Sequence, residues 1–371
     1  MRSNWAVALV AITAMVGLGA SRAGAEPLTA GRIQHYVPDA RARAMGQSFV
    51  AVTDGKWSAW ANPAALAWTR GKVQGAYSYL ALPEPHQTSR NPTEFFRAAT
   101  LSAGRGGMGV GLYWARLNYP DFHEDFELIY RHGHETDTRL SSGVDVLRLV
   151  RRRPSAVGVA LGATVKRVTL HLAPTSYTSL TSGAQTDADL GLLVTGRLEQ
   201  GRGARRIGTF IGSFGWSRRN LFDRHVVDED QHQSEPLGTT NRYGAALRWE
   251  TGLRHELGPD LEVTLATDQG LPPPGVQHGT VKTVGLEVLV QQTASIRLGH
   301  VKDPKGIFTG DTWGLGLSPD LLLRRWSGSM HARIDFASIE QASYRGGKSE
   351  QWALVVSFGG PVRTGARVLA D

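Results

Sequence analysis

The chain of 371 residues contains no cysteine. That excludes a disulfide framework, a thiolate metal site and a cysteine nucleophile. It also lacks a long hydrophobic run. The one apolar stretch, Ala6 to Ala20, is shorter than the roughly 20 residues that a membrane-spanning helix needs, so a polytopic helical membrane protein is ruled out. Charged residues make up 20% and hydrophobic ones 41%, a balance that excludes wholesale disorder. No basic block is longer than Arg151-Arg152-Arg153, so nucleic acid is not an expected partner despite a net charge of +8. A GxSxG elbow, a P-loop and a Ser-His-Asp set in a suitable context are all missing. Gly104 to Gly109 spells GxGxxG, but a strand pattern follows it rather than a helix, so it reads as a hairpin turn. His132, His134 and Glu135 offer donor atoms, yet without a further ligand nearby they read as a solvated loop. No catalytic residue, metal or cofactor is expected.

What is present begins at the N-terminus. Arg2, the apolar run and Ala23-Gly24-Ala25 read as a secretory signal peptide cut after Ala25. Its removal takes away Arg2 and Arg22 and lowers the net charge from +8 to +6.

From residue 72 the texture changes to short alternating stretches separated by turn signals. Met108, Val110, Leu112 and Trp114 share one face, and Gly109, Gly111, Tyr113 and Ala115 the other. Fifteen candidate strands follow this rule, near 73–82, 95–104, 107–117, 125–132, 138–150, 156–170, 186–197, 205–216, 241–251, 260–267, 280–290, 294–301, 310–317, 328–337 and 350–358. With no long amphipathic helix between them, they predict an all-β antiparallel meander. Segments 171–185 and 217–240 read as surface loops.

The polar faces bear on the architecture. Arg242, Arg248, Glu287, Arg297, Arg333 and Asp335 all stand opposite apolar faces. A soluble sandwich would turn the charges to water. A membrane barrel would turn them to its lumen. Strands of 10 or more residues, and Trp114, Trp216, Trp249 and Trp352 near strand ends, favour the transmembrane antiparallel β-barrel. In a lumen these six residues form either a polar network or the seat of a ligand head group, because an arginine fork suits a carboxylate. Glu287 and Arg297, on adjacent strands of one predicted hairpin, are expected to face each other or lie one step apart, as a structural pair.

Before the strands, residues 26–71 differ. Asp39 reads as the N-cap of a short helix over Ala40 to Met45, Thr53-Asp54-Gly55 as a turn, and Asn62-Pro63 as a turn or helix start. This segment is too small to hold a core of its own and must pack on or inside the barrel.

Ala40-Arg41-Ala42-Arg43-Ala44-Met45-Gly46, Phe49-Val50-Ala51-Val52 and Trp60-Ala61-Asn62-Pro63-Ala64-Ala65-Leu66 together resemble the N-terminal signature of the long-chain fatty-acid transporter (FadL) superfamily, closest to its PorV/PorQ branch. Gln47-Ser48 and Thr53 to Lys56 depart from that pattern. Weaker similarities follow in order: Val165 to Val168 with Asp187 to Leu193, Val284 to Glu287 with Ile296 to His300, Trp313 to Leu317, and Ile334 to Ala337. The resemblance implies a barrel of about fourteen strands over 72–358 in the outer membrane of a Gram-negative-type bacterium, an even count as single-chain barrels have. It implies a lumenal N-terminal hatch with Gly46, Asn62, Pro63 and Ala64 as gate or anchor. At least one of the fifteen candidates is then false or non-spanning, with 125–132 the first suspect. Phe358 would be the terminal aromatic residue, followed by a tail over 359–371. The implied function is passive passage of small hydrophobic molecules, with outer-membrane lipid and such a ligand as partners and no enzyme activity. The alternative is a non-transporting component of a protein-secretion or surface-assembly system, with secretion proteins as partners. A secreted all-β adhesin is the third reading.

Overall fold

The computed structural model describes residues 32–53, 56–69, 72–81, 95–119, 122–124, 127–151, 156–173, 182–200, 208–222, 224–227, 234–251, 261–271, 280–302, 309–318, 330–341 and 347–359. The signal segment 1–25, the turn residues Asp54 and Gly55, and the tail beyond Gly359 lie outside them.

The described residues form seventeen strands in chain order: β1 Lys72–Ala81, β2 Phe95–Arg105, β3 Met108–Tyr119, β4 Phe122–Glu124, β5 Glu127–Asp145, β6 Val157–Ala173, β7 Ser182–Gln200, β8 Gly208–Arg219, β9 His225–Val227, β10 Ser234–Pro236, β11 Thr240–Thr251, β12 Leu261–Leu271, β13 Val281–Val290, β14 Ala294–Lys302, β15 Gly310–Leu317, β16 Met330–Gln341 and β17 Gly347–Gly359. Fourteen of them form a closed antiparallel barrel. The ring closes where β1 pairs with β17, from Lys72 opposite Gly359 to Ala81 opposite Glu350. The short β4 leans on β5, and β9 with β10 makes a small separate hairpin.

Fifteen candidates become fourteen because 127–132 and most of 138–150 are one strand, the 19-residue β5, while 125–126 lie outside the described residues. The suspect stretch is therefore neither false nor independent: it is the far end of its neighbour. The close of the second candidate is also different, since Val146–Arg151 is a short helix. Asp145 starts it, its Oδ1 accepting from the Arg148 backbone N–H at 3.1 Å. The surface segments are shorter than expected. β6 and β7 extend into 171–185, and β9 and β10 occupy part of 217–240.

The two faces are distributed inside out relative to a soluble protein. Leu101, Val110, Leu112, Leu140, Val165, Leu265, Leu298 and Leu315 stand exposed on the outer rows. Buried on the inner rows are Glu135, Asp137, Arg139, Lys166, Asp189, Glu287, Arg297 and Asp335. Of the four tryptophans, Trp114 and Trp352 sit in the bodies of β3 and β17 and not at their ends.

The hatch lies within this wall. It comprises a 3-10 turn at Arg32–His35, helix α1 at Ala40–Ala44, helix α2 at Ser58–Ala61 and a 3-10 helix at Pro63–Trp68. Asp39 caps α1 by accepting from the Arg41 N–H at 2.9 Å. Asn62 starts the last helix by accepting from the Ala64 N–H at 3.1 Å, with Pro63 at a position that needs no N–H partner. Elements this short have no stability of their own. Burial of Met45, Phe49, Val50, Trp57, Trp60 and Leu66 holds them in place.

Candidate lumenal site

The hatch backbone rests where the wall has no side chains. Five glycines on five neighbouring strands lie in register: Gly104 opposite Gly109, Gly109 opposite Gly143, Gly143 opposite Gly162, and Gly162 opposite Gly191. A Cβ at Gly109 would strike the Leu66 carbonyl, at Gly143 the Pro63 carbonyl, at Gly162 the Ala64 nitrogen and at Gly191 the Asn62 Oδ1. Across the lumen Gly285 faces Gly299, and a Cβ there would meet Met45 and Gly46. Gly46 itself has φ +63, a left-handed turn that glycine takes without strain. A glycine groove thus runs along the inner wall, and the hatch beds into it at Ala44 to Gly46, at Val50 and Ala51, and from Asn62 to Thr69.

Side chains fasten what the groove seats. Asn62 Nδ2 donates to the Val50 carbonyl at 3.0 Å and to the Leu192 carbonyl at 3.1 Å, joining two parts of the hatch to β7. Asp268 Oδ2 accepts from the Phe49 and Val50 N–H groups at 2.7 and 2.9 Å. Thr312 Oγ1 donates to the Ala44 carbonyl at 2.8 Å and accepts from the Gly46 N–H at 3.0 Å. Glu135 accepts from the Ile33 N–H at 2.7 Å, and Arg219 donates to the Trp60 carbonyl at 2.9 Å while stacking on its ring. Pro63 and Ala64 are buried against the glycines.

The six charged residues read from the sequence all lie on inner rows but fall into three groups. Glu287, Arg297, Arg333 and Asp335 are together. Glu287 and Arg297 are direct cross-strand partners, with Arg297 Nε 2.7 Å from Glu287 Oε1. Arg297 Nη2 reaches Asp335 Oδ1 at 2.8 Å, and Arg333 reaches both carboxylates, at 3.3 and 2.8 Å. The hatch enters the same cluster, because Arg41 Nε lies 3.0 and 2.9 Å from the two Glu287 oxygens. Arg297 Nη1 has no hydrogen-bond partner among the described residues. Arg242 sits apart, 3.2 Å from Asp268 and donating to the Gln47 carbonyl at 3.0 Å. Arg248 stands in a third place, 3.2 Å from Glu250 and 3.9 Å from Glu262.

A second buried cluster escaped the sequence reading. Arg139 pairs with Asp137 and, at 3.2 Å, with Asp189, which Lys166 approaches to 2.6 Å. Gln34 of the hatch accepts from Lys166 at 3.4 Å and from Asn220 at 3.1 Å. The signal for it was the spacing of two through Glu135, Asp137 and Arg139, hidden by an outer row of His134, Thr136 and Thr138 with little apolar character. His134 and Glu135 are therefore on opposite faces of a strand and not in a loop, and cannot share a metal. Within the hatch, burial pulls the Arg43 guanidinium down to about 10, with Tyr36 acting in the opposite sense. Arg43 therefore remains a cation at neutral pH.

Fold and site together define a closed antiparallel barrel with a polar, hatch-filled inner wall. No protein-family model matches the chain, and no curated protein matches it in sequence. Among solved structures it is similar to the Ralstonia pickettii toluene transporter TbuX, at 10% identity over 89% of this chain and 99% of that one, with a TM-score of 0.50. The Pseudomonas putida toluene transporter TodX is similar at 10% identity, 92% and 100% coverage and a TM-score of 0.46. A Pseudomonas aeruginosa FadL homologue follows at 9% identity, 91% and 100% coverage and 0.44. At such identities the likeness is one of fold.

Proposed function

We propose that the protein is an outer-membrane channel for the passive passage of small hydrophobic molecules. The observation that carries this reading is the inside-out barrel: apolar rows outward, where hydrocarbon would meet them, and charge inward. The signal-like N-terminus, the sequence likeness of the hatch to the FadL superfamily and its PorV/PorQ branch, and the fold shared with a toluene transporter support it.

In this reading a ligand enters the lumen, lodges beside the hatch and leaves when the hatch shifts. A ligand with an acidic end would find the cluster of Arg297 and Arg333 suited to a carboxylate, with Arg297 Nη1 offering an unused donor. Gly46 and the Asn62-Pro63-Ala64 stretch, bedded in the glycine groove, are the part that must move.

Native mass spectrometry of the protein extracted gently from outer membranes tests this. The expected result is a discrete adduct with the mass of a fatty acid or similar hydrophobe, weakened in Arg333→Gln. Absence from the membrane fraction would sink the reading. A ligand-free barrel that carries a protein partner would replace it with the secretion component.

A further inference from the structure

The outer wall carries cations that the lumen does not use. Arg97 on β2 and Arg116 on β3 are direct cross-strand partners on the outward rows. Their neighbours Phe96, Ala98, Ala115 and Leu117 face in and are buried. Like charges directly opposite each other on one sheet face repel. Arg167 on β6 is exposed on the same outer surface, opposite Thr138 of β5. Among the described residues none of these three arginines makes an ion pair. The outward rows of β1 to β3, of β5 from His134 onward, and of β6 carry no Asp or Glu.

Two further facts place this surface. Arg97 stacks over Phe95, 4.5 Å from the ring centroid, and Arg116 Nε donates to Asn118 Oδ1 at 2.9 Å. Phe95 and Asn118 both lie toward the end of the β2–β3 hairpin opposite its Gly106-Gly107 turn, so the two guanidiniums bend toward the same rim. Arg97 and Arg116 also continue an aromatic belt, and Arg167 stands one step nearer the turn, in line with Trp114. Phe336 packs on Trp313 and Trp352, Trp352 is the cross-strand partner of Tyr79, and Tyr79 that of Arg97. Beside and below the arginines the outer wall is apolar, at Leu101, Leu112, Trp114, Leu140 and Val165. An aromatic belt marks the boundary between hydrocarbon and water. Arginines at that level extend their heads to the wet side.

We infer that Arg97, Arg116 and Arg167 form a docking surface for the phosphate of an anionic membrane lipid, whose chains lie along the leucine and valine rows beneath. A phosphate set among the guanidiniums relieves their repulsion and accepts from their forks. The inference rests on the membrane reading above but not on transport.

The test is native mass spectrometry of the full barrel in neutral detergent, titrated with phosphatidylglycerol and with phosphatidylcholine. The expected result is retention of phosphatidylglycerol at concentrations at least about tenfold lower. The triple variant Arg97→Gln, Arg116→Gln, Arg167→Gln should lose that preference, while Arg105→Gln, exposed at the other end of β2, keeps it. Equal retention of the two lipids by the unaltered protein overturns the inference without any variant. So does a triple variant that keeps the preference, or an Arg105→Gln variant that loses it. Displacement of phosphatidylglycerol by an equal concentration of inorganic phosphate overturns it in favour of a free-anion site. A barrel that prefers phosphatidylglycerol yet yields no hydrophobic ligand from membranes keeps this surface and loses the transport reading.

Discussion

Glu287 meets three guanidiniums, those of Arg41, Arg297 and Arg333, and is fully buried. Removing one partner of a buried charge set leaves the others uncompensated, which costs about 3–5 kcal/mol. Glu287→Gln is therefore expected to lower the temperature at which the unboiled form converts to the unfolded form on detergent gels. Arg41→Gln should lower it less, because Arg297 and Arg333 still neutralise Glu287. The wall pair was legible: alternation placed Glu287 and Arg297 on one face of one hairpin, and they are direct partners. The contact with Arg41 was not. It joins residues 246 positions apart, and no periodicity in either segment points to the other.

The hatch is an element held by its environment. The expected outcome for Gly162→Val is a displaced Ala64, at an overpacking cost of about 1–3 kcal/mol. Single-channel recording in planar bilayers should then show raised conductance. Gly212→Val is the control, since a Cβ there meets nothing within 4 Å. An unchanged conductance in Gly162→Val would mean that the hatch does not limit flow. Strands were the most legible elements, because outward and lumenal rows impose a period of two on every strand. The helix Val146–Arg151 was missed for a related reason. Its Val-Leu-Arg-Leu-Val run is apolar and rich in valine, as a strand would be, and six residues are too few for a period of 3.6 to show. The course of the hatch was hidden, since the glycine groove is a set of missing side chains, one per strand, whose alignment depends on register.

For the whole molecule, the outer rows decide where the protein can exist. Leu112→Arg places a charge in the apolar outer wall and is expected to reduce folding stability in lipid vesicles by about 2–4 kcal/mol, read from denaturant titration. Alternation anticipated the all-β meander, and strand length with the resemblance of the N-terminal segment anticipated the barrel, but not its uneven wall. The 19-residue β5 and β7 and the 17-residue β6 stand beside strands as short as the 8-residue β15. Strand length depends on where each hairpin turns, and β5 runs unbroken through 133–137, where the gap between two candidate strands suggested a turn.

The glycine groove has a genetic consequence. A seat made of absent side chains cannot be improved by substitution at its own positions. Every nucleotide change that replaces a glycine codon with another residue adds at least a Cβ. At Gly109, Gly143, Gly162 and Gly191 that atom lands in the hatch. Random mutation of this stretch of wall therefore runs in one direction, toward a hatch that no longer lies flush. A screen for leaky barrels should collect its hits along that line of strands.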